Sequence, residues 1–177
     1  LTQSDSNTKI EATGASSSYV ASDVSDIVEA VMPSIVSITN VSESQYQSFF
    51  GGTQTQQSTS CGSGISIGKN DTELLIVTNN HVVEDADTLS VCFVDDQAYE
   101  ATVKGTDADN DLAVIAVKLS DISDDTMSQI KIAEIGDSDQ LQVGEQVVAI
   151  GNALGYGQSV TTGIVSAVNR QLEDSDS

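Results

Sequence analysis

The single histidine of the chain, His81, follows an apolar segment in LLIVTNNHVVEDA, at the point where a turn is predicted. A histidine held by a rigid strand and facing a cleft has the placement that a general base needs. Thirty residues later, Asp111 precedes a second apolar segment in KGTDADNDLAVIAV, where its carboxylate is placed to orient an imidazole. Residue types and spacing alone leave a simpler interpretation open, namely a structural histidine and a turn aspartate.

The overall composition limits what else the chain can do. Its 177 residues, 38% of them hydrophobic, suffice for one domain or two small lobes with a buried core. No strictly apolar run approaches the roughly 20 residues that a membrane span requires. The 27 acidic and 6 basic side chains give a formal net charge of −21, which would repel a phosphate backbone. We therefore expect no nucleic-acid partner.

Most of the chain has the pattern of short β-strands. Eight segments are rich in β-branched residues and bounded by Gly, Asn, Asp or Ser, namely 35–39, 64–67, 74–78, 89–94, 99–103, 112–117, 147–150 and 160–168. The intervals between them are too short for the crossover helices of a parallel sheet. The sequence therefore predicts an all-β fold, with antiparallel strands that close into a barrel or a sandwich.

Two other kinds of segment interrupt this pattern. Val24, Ile27, Val28 and Val31 recur with helical spacing and predict a short amphipathic helix that ends at Pro33. A polar stretch at residues 42–60 predicts a long mobile loop, which contains the aromatic cluster Tyr46, Phe49 and Phe50. A second polar stretch, at residues 120–130, predicts an insertion.

Six successive strings between about residues 24 and 170 resemble the HtrA/DegP-type serine proteases. They are VMPSIVSIT, GSGISIG, IVTNNHVVEDAD, TDADNDLAVIAV, IAEIGDSDQLQVGEQVVAIGNALG and SVTTGIVSAVNR. The resemblance implies a chymotrypsin-like double β-barrel. Residues 1–21 would then be a flexible segment, residues 22–135 the helix and a complete first barrel, and residues 136–177 the opening strands of a truncated second barrel.

The resemblance also implies roles for particular residues. His81 would be the general base, Asp111 would fix its tautomer, and Thr78 would support the aspartate through a hydrogen bond. The family's nucleophilic serine lies in a GNSGG-type motif downstream of the VTTGIVSA strand, and no such motif occurs in this sequence. Ser63, in CGSGIS, matches a strand of the first barrel and is not a candidate nucleophile. We therefore expect a portion of a serine endopeptidase that is inactive as this chain.

The family further implies what the whole protein would do and where. Its substrates would be unfolded or misfolded polypeptides in protein quality control. It would be extracytoplasmic, in the bacterial cell envelope or secreted, with a membrane anchor and possible PDZ domain in the full-length parent. A homo-oligomer is expected, either the trimer frequent in the family or a strand-swapped association through open strand edges. Two alternatives stay open: a non-catalytic β-barrel binding or scaffold module, and an adhesion-type β-sandwich in which His81 and Asp111 do not meet.

No metal or other cofactor is expected. Asp107, Asp109 and Asp111 imitate the opening of a calcium-binding loop, but Leu112 stands where that loop needs glycine. One histidine and two widely spaced cysteines offer none of the familiar pairs of transition-metal ligands. Cys61 and Cys92 both fall in the predicted first barrel, where a disulfide and two buried free thiols remain equally open.

Overall fold

Six antiparallel strands close into a barrel in the computed structural model, which describes residues 24–47, 53–151 and 159–169. Around the barrel the order is β1-β2-β3-β6-β5-β4. The strands are β1 (Ile35–Gln47), β2 (Thr53–Lys69), β3 (Glu73–Thr78), β4 (Thr88–Cys92), β5 (Ala98–Asp107) and β6 (Leu112–Lys118). The prediction of an all-β antiparallel fold is confirmed, and a closed barrel is present instead of a sandwich.

The barrel interior is filled by alternate residues of these strands, because successive side chains of a strand point to opposite faces. On β3, buried and partly exposed residues alternate along the whole strand. Several aliphatic side chains are completely shielded from solvent, namely Val36, Ile38, Leu74, Ile76, Val91, Ile115 and Val117. Burying each such side chain contributes about 1.5–3 kcal/mol, so the barrel holds a continuous core of its own.

In the described part of the chain, three short α-helices accompany the strands, and they are α1 (Ser25–Val31), α2 (Asn80–Val83) and α3 (Asp124–Gln129). The predicted first helix is confirmed, and it continues into a 3-10 turn, Met32–Ser34, that contains Pro33. It buries none of its own residues. Among the described residues, no helix has the length and apolar character needed to cross a membrane.

The prediction of a loop over residues 42–60 is wrong for the part that the structure describes. β1 and β2 stay paired as far as Gln47 and Thr53, so the polar residues form the two arms of a long hairpin. Their largely polar composition gave no regular alternation of apolar and polar residues, which is the signal that indicates a half-buried strand. Phe49 and Phe50, with the Tyr46 side chain, lie outside the described part of the chain.

A second, two-stranded sheet lies after the barrel in the chain. It pairs β7 (Gln146–Gly151) with β8 (Ser159–Ile164) in antiparallel fashion. Neither strand contains a fully buried residue. A Cβ atom added to Gly151 would lie 3.2 Å from the Ser63 hydroxyl, so the end of β7 lies close to β2 of the barrel. The strand predicted over residues 160–168 is present but shorter, because β8 ends at Ile164.

The two cysteines are free thiols, so they form no disulfide. Cys61 pairs with Thr39 on one side of β1, while Cys92 pairs with Ser37 on the other side. Two strand spacings, about 10 Å, therefore separate them, which exceeds the roughly 7 Å that a disulfide tolerates between Cα atoms. The alternative of two buried thiols is wrong as well, because Cys61 is exposed.

Candidate active site

His81 lies on α2, the single helical turn that follows β3 at one rim of the barrel. Its neighbours Val82 and Val83 are only 6% and 4% exposed, because they pack into the core from that rim. The His81 side chain points the other way and is 68% exposed. The local sequence HVV therefore anchors the turn by its two valines and leaves the imidazole at the surface.

Asp111 lies immediately before β6, at the end of a tight turn after β5. The Asp107 carboxylate accepts hydrogen bonds from the Asn110 backbone N–H at 3.1 Å and from the Asn110 side chain at 2.7 Å. The Asn110 side chain, followed by its backbone N–H, lowers the pKa of Asp107. Asp111 itself adopts a left-handed backbone conformation with φ of 51°, which aspartate tolerates better than most residues.

The two predicted residues meet at this rim, through two contacts. The ring Nδ1 of His81 lies 2.7 Å from Asp111 Oδ2. The backbone N–H of His81 donates to the other carboxylate oxygen, Oδ1, at 3.0 Å. One carboxylate thus contacts both the ring and the backbone of His81, which fixes the position of the imidazole relative to its own turn.

The carboxylate of Asp111 is held in its ionised form. The pKa of Asp111 lies below its usual value, chiefly because the backbone N–H of His81 donates to it, with further help from the His81 ring and against partial desolvation. An ionised carboxylate only accepts hydrogen bonds, so Nδ1 of His81 must carry the proton in this contact. The remaining ring nitrogen, Nε2, is then unprotonated in the neutral imidazole and can accept a proton.

Thr78 does not play the predicted part in the structure. Its hydroxyl donates to the Ser63 backbone carbonyl at 2.7 Å, and a hydroxyl has only one proton to donate. The physical reason is strand alternation: Thr78 is buried at the end of β3, 6% exposed, whereas Asp111 lies outside on the rim. The hydrogen bond predicted from Thr78 to the aspartate is therefore wrong.

The contact that sequence reasoning missed comes from Asn79, the neighbour of Thr78. The Asn79 side-chain amide donates to the backbone carbonyl of Asp111 at 3.0 Å. It ties the start of α2 to the turn that carries the carboxylate. The TNNHVV string contained this residue, but an asparagine before a turn is typical of turn chemistry in general and indicated no particular partner.

A cleft of about 230 Å³ opens beside the rim, between the barrel and β7. Its lining includes Ser63, Thr78, Asn79 and Leu112 from the barrel and Ile150 from β7. Within the described ranges 24–47, 53–151 and 159–169, no group of three or more His, Cys, Asp or Glu side chains is placed to hold a metal ion. The contact between Nδ1 of His81 and Asp111 supports proton transfer by an oriented imidazole.

Comparison with known proteins gives consistent results. The model of the trypsin-like peptidase domain matches residues 62–177. The serine protease Do-like HtrA of Bacillus subtilis (strain 168) is 40% identical over 163 residues, covering 89% of this chain and 35% of that protein. The periplasmic serine endoprotease DegP of Escherichia coli (strain K12) is 33% identical over 201 residues, covering 93% of this chain and 40% of that protein.

Solved structures show the same relationship. The HtrA-type protease AlgW with a decapeptide superposes with a TM-score of 0.64 at 25% identity, covering 84% of this chain and 47% of that one. A variant of AlgW, also with a decapeptide, gives a TM-score of 0.67 at 28% identity. The chain spans between a third and two fifths of the length of the curated relatives named above. It belongs to the trypsin-like peptidase family, as a portion of an HtrA/DegP-type serine protease.

Proposed function

We propose that the chain carries the general base of a serine endopeptidase, His81, together with the carboxylate that orients it, Asp111. Nε2 of His81 would take the proton of a serine hydroxyl as that oxygen attacks the peptide carbonyl, and would then give it to the leaving amine. Asp111 would stabilise the imidazolium formed in between. The observation that carries this proposal is the 2.7 Å contact between Nδ1 and Oδ2, which leaves Nε2 directed away from the carboxylate.

The proposed substrates are unfolded or misfolded polypeptides, and the proposed role is protein quality control outside the cytoplasm. Support comes from the relatives: one is named a periplasmic serine endoprotease, and the AlgW structures contain a decapeptide. Trimer formation, strand-swapped association, a PDZ domain and a membrane anchor stay predictions.

The nucleophile is the part of the reaction that this sequence does not supply. No GNSGG-type motif occurs among its 177 residues. Without the serine and the backbone N–H groups beside it, neither an acyl intermediate nor an oxyanion hole can form. We therefore propose that the 177-residue chain by itself does not hydrolyse peptides, and that activity needs a serine from the second barrel.

A fluorophosphonate probe, which reacts with activated serines, tests the proposal on the protein as the cell makes it. Wild type should be labelled, whereas His81→Ala should lose about 10²–10⁴-fold in labelling rate. Asp111→Asn should lose up to about 10⁴-fold, because the imidazole then no longer holds the required tautomer. The purified 177-residue chain should remain unlabelled.

Asp109→Asn is the matched control, since Asp109 is exposed and lies two residues before Asp111. It should keep the wild-type labelling rate. Labelling that persists in His81→Ala would contradict the assigned base, and labelling of the 177-residue chain would contradict the missing nucleophile. If neither wild type nor any variant reacted, the result would favour a non-catalytic binding or scaffold module.

A further inference from the structure

The buried apolar positions on the face that β1 presents to the barrel interior are followed by a buried polar residue, Asn40. Val36 and Ile38 are both fully buried on that face, and the next inward position is Asn40, which is 5% exposed. A buried amide is unfavourable unless its polar atoms find partners. A valine or leucine would fill this position without that cost, so the contacts of the amide indicate what it does.

The Asn40 side chain donates two hydrogen bonds, and both go to the segment that carries His81. Its Nδ2 atom donates to the carbonyl of Val82 at 3.0 Å and to the carbonyl of Glu84 at 2.9 Å. The Oδ1 atom is buried and has no hydrogen-bond partner among the residues that the structure describes. This orientation of the amide is required, because an oxygen in place of Nδ2 would face two carbonyls without a proton to donate.

Helix α2 needs such a partner because it is only four residues long. The last carbonyls of a helix have no partner within it, and in a single turn they make up most of the helix. Asn40 binds the carbonyl of the residue directly after His81. On the other side of His81, the Asn79 side chain binds the Asp111 carbonyl at 3.0 Å. The imidazole is thus placed between two amide anchors, one from β1 and one toward the aspartate turn.

Packing limits the same turn from below. A Cβ atom added to Gly62 of β2 would lie 2.5 and 2.6 Å from the two methyl groups of Val82. The backbone of β2 therefore touches α2 directly and prevents it from sinking further into the barrel. Asn40 draws α2 toward the barrel through hydrogen bonds to the Val82 and Glu84 carbonyls. The contact with Gly62 limits how close α2 can come, so the two contacts together fix the position of His81 at the rim.

We propose that Asn40 is a positioning residue for His81: its buried amide holds the end of α2 so that the imidazole stays in register with Asp111. The inference rests on the proposed function only for the role given to His81. The contacts themselves cross 42 and 44 residues of sequence, so they depend on barrel closure and not on local turn chemistry.

Nuclear magnetic resonance of the ¹⁵N-labelled 177-residue chain tests this directly, since the only imidazole signals come from His81. In wild type at neutral pH, the proton should reside on Nδ1. Asn40→Ser and Asn40→Asp should shift the ring ¹⁵N signals toward those of a mobile imidazole. The same variants should speed exchange of the His81 backbone N–H by about tenfold or more, because local opening of α2 becomes easier.

Thr126→Ala is the matched control for a general loss of stability. Thr126 is 1% exposed and polar, and its hydroxyl bonds to Asp95 and Tyr99, neither of which lies on α2. This variant should lose stability and leave the His81 signals unchanged. A wild-type ring without a proton on Nδ1 would contradict the proposed function. The role of Asn40 would then be tested by exchange of the His81 backbone N–H, which should still be faster in the Asn40 variants.

Three results would overturn the role of Asn40 itself. In the first, both variants fold, as judged by circular dichroism, and keep wild-type ring signals and wild-type exchange of the His81 amide. In the second, Thr126→Ala shifts the His81 signals as much as the Asn40 variants do. In the third, neither Asn40 variant folds, because the amide would then support the barrel as a whole and not the position of α2.

Discussion

The barrel and the β7–β8 sheet are built from similar residues but bury them very differently. β6 of the barrel reads LAVIAVK and includes fully buried Ile115 and Val117. β7 reads QVVAIG and has no fully buried residue. On β8, Val160 and Ile164 are 38% and 60% exposed. A β-branched strand is therefore stabilised by what covers it, not by its composition.

This difference explains where the chemistry can be held firmly. His81 and Asp111 both project from the rim of the region that has its own core, and their contact crosses 30 residues of sequence. The β7–β8 sheet has a backbone ladder without a buried face, and a two-stranded sheet alone is marginal in water. The contacts that position the imidazole and the carboxylate thus come from segments of the barrel, and they involve no residue of the β7–β8 sheet.

Removing core volume from the barrel should have the largest effect. Ile115→Ala should lower the free energy of unfolding by about 2–5 kcal/mol, because Ile115 is fully buried on β6 between β3 and β5. Urea denaturation measures the loss. Amide hydrogen exchange should show faster exchange throughout the barrel, with little change in the β7–β8 ladder, because that ladder has no buried face and should exchange by local opening in wild type as well.

Val160→Ala provides the contrast from the other region. Val160 lies on β8 and is 38% exposed, so its loss should cost no more than about 0.5 kcal/mol. Equal destabilisation by the two alanine variants would mean that β8 has a core that the structure does not show. Such a result would contradict the difference in burial between the barrel and the β7–β8 sheet.

The glycines of the two regions should also differ, with a smaller effect. Gly62→Ala should destabilise the chain by about 1–3 kcal/mol, since its Cβ would overlap the Val82 methyl groups. Gly163→Ala on β8 should be neutral or stabilising by up to about 1 kcal/mol, because open space surrounds that position and the unfolded chain loses entropy. Thermal denaturation of both variants measures the two changes in stability. A Gly62→Ala variant as stable as wild type would contradict the close packing of α2 against β2.

The sequence predicted the elements whose pattern depends on burial and missed those that depend on a distant partner. Short segments rich in β-branched residues predicted β3 and β6, and the histidine and aspartate strings predicted the pair that meets at the rim. The predicted first strand ended at Thr39 because asparagine is rare in strands. The structure continues β1 through Asn40, whose partners Val82 and Glu84 lie more than 40 residues away. No local pattern encodes such a pairing.

Acid titration should distinguish a carboxyl whose pKa is lowered by a residue distant in the sequence, Asp111, from one whose pKa is lowered by a residue close to it in the sequence, Asp137. The pKa of Asp111 is lowered chiefly by the backbone N–H of His81 and further by the His81 ring, so His81→Ala should keep the lowering that the N–H supplies and lose the part that the ring supplies. Asp137, before the second sheet, has its pKa lowered chiefly by the Gln140 side chain, which donates at 2.8 Å. Gln140→Ala should therefore raise the pKa of Asp137 and leave that of Asp111 unchanged. Carboxyl ¹³C resonances followed against pH measure both groups.

The sign of the corresponding stability change follows from the direction of the shift. Because the pKa of Asp111 is lower in the folded state, its contribution is present above its ordinary value of 3.8 and is lost as pH falls through the lowered value. Mild denaturant that unfolds the barrel should bring the Asp111 titration back to about 3.8. A carboxyl that titrates at or above 3.8 in the folded chain would contradict the contact with His81.

The surface ion pair of the barrel should contribute least. Lys104 Nζ lies 3.0 Å from Glu73 Oε1, and both groups are partly exposed. Lys104→Ala should cost roughly 0.2–1 kcal/mol at low salt, as exposed pairs do. Lys69→Ala is the matched control: Lys69 is exposed, forms no ion pair with a described residue, and its loss removes the same charge from a chain of net charge −21. If both variants lost equal stability in urea denaturation, and 1 M salt erased both losses, the increased repulsion among the acidic side chains and not the loss of the Glu73 contact would account for the effect.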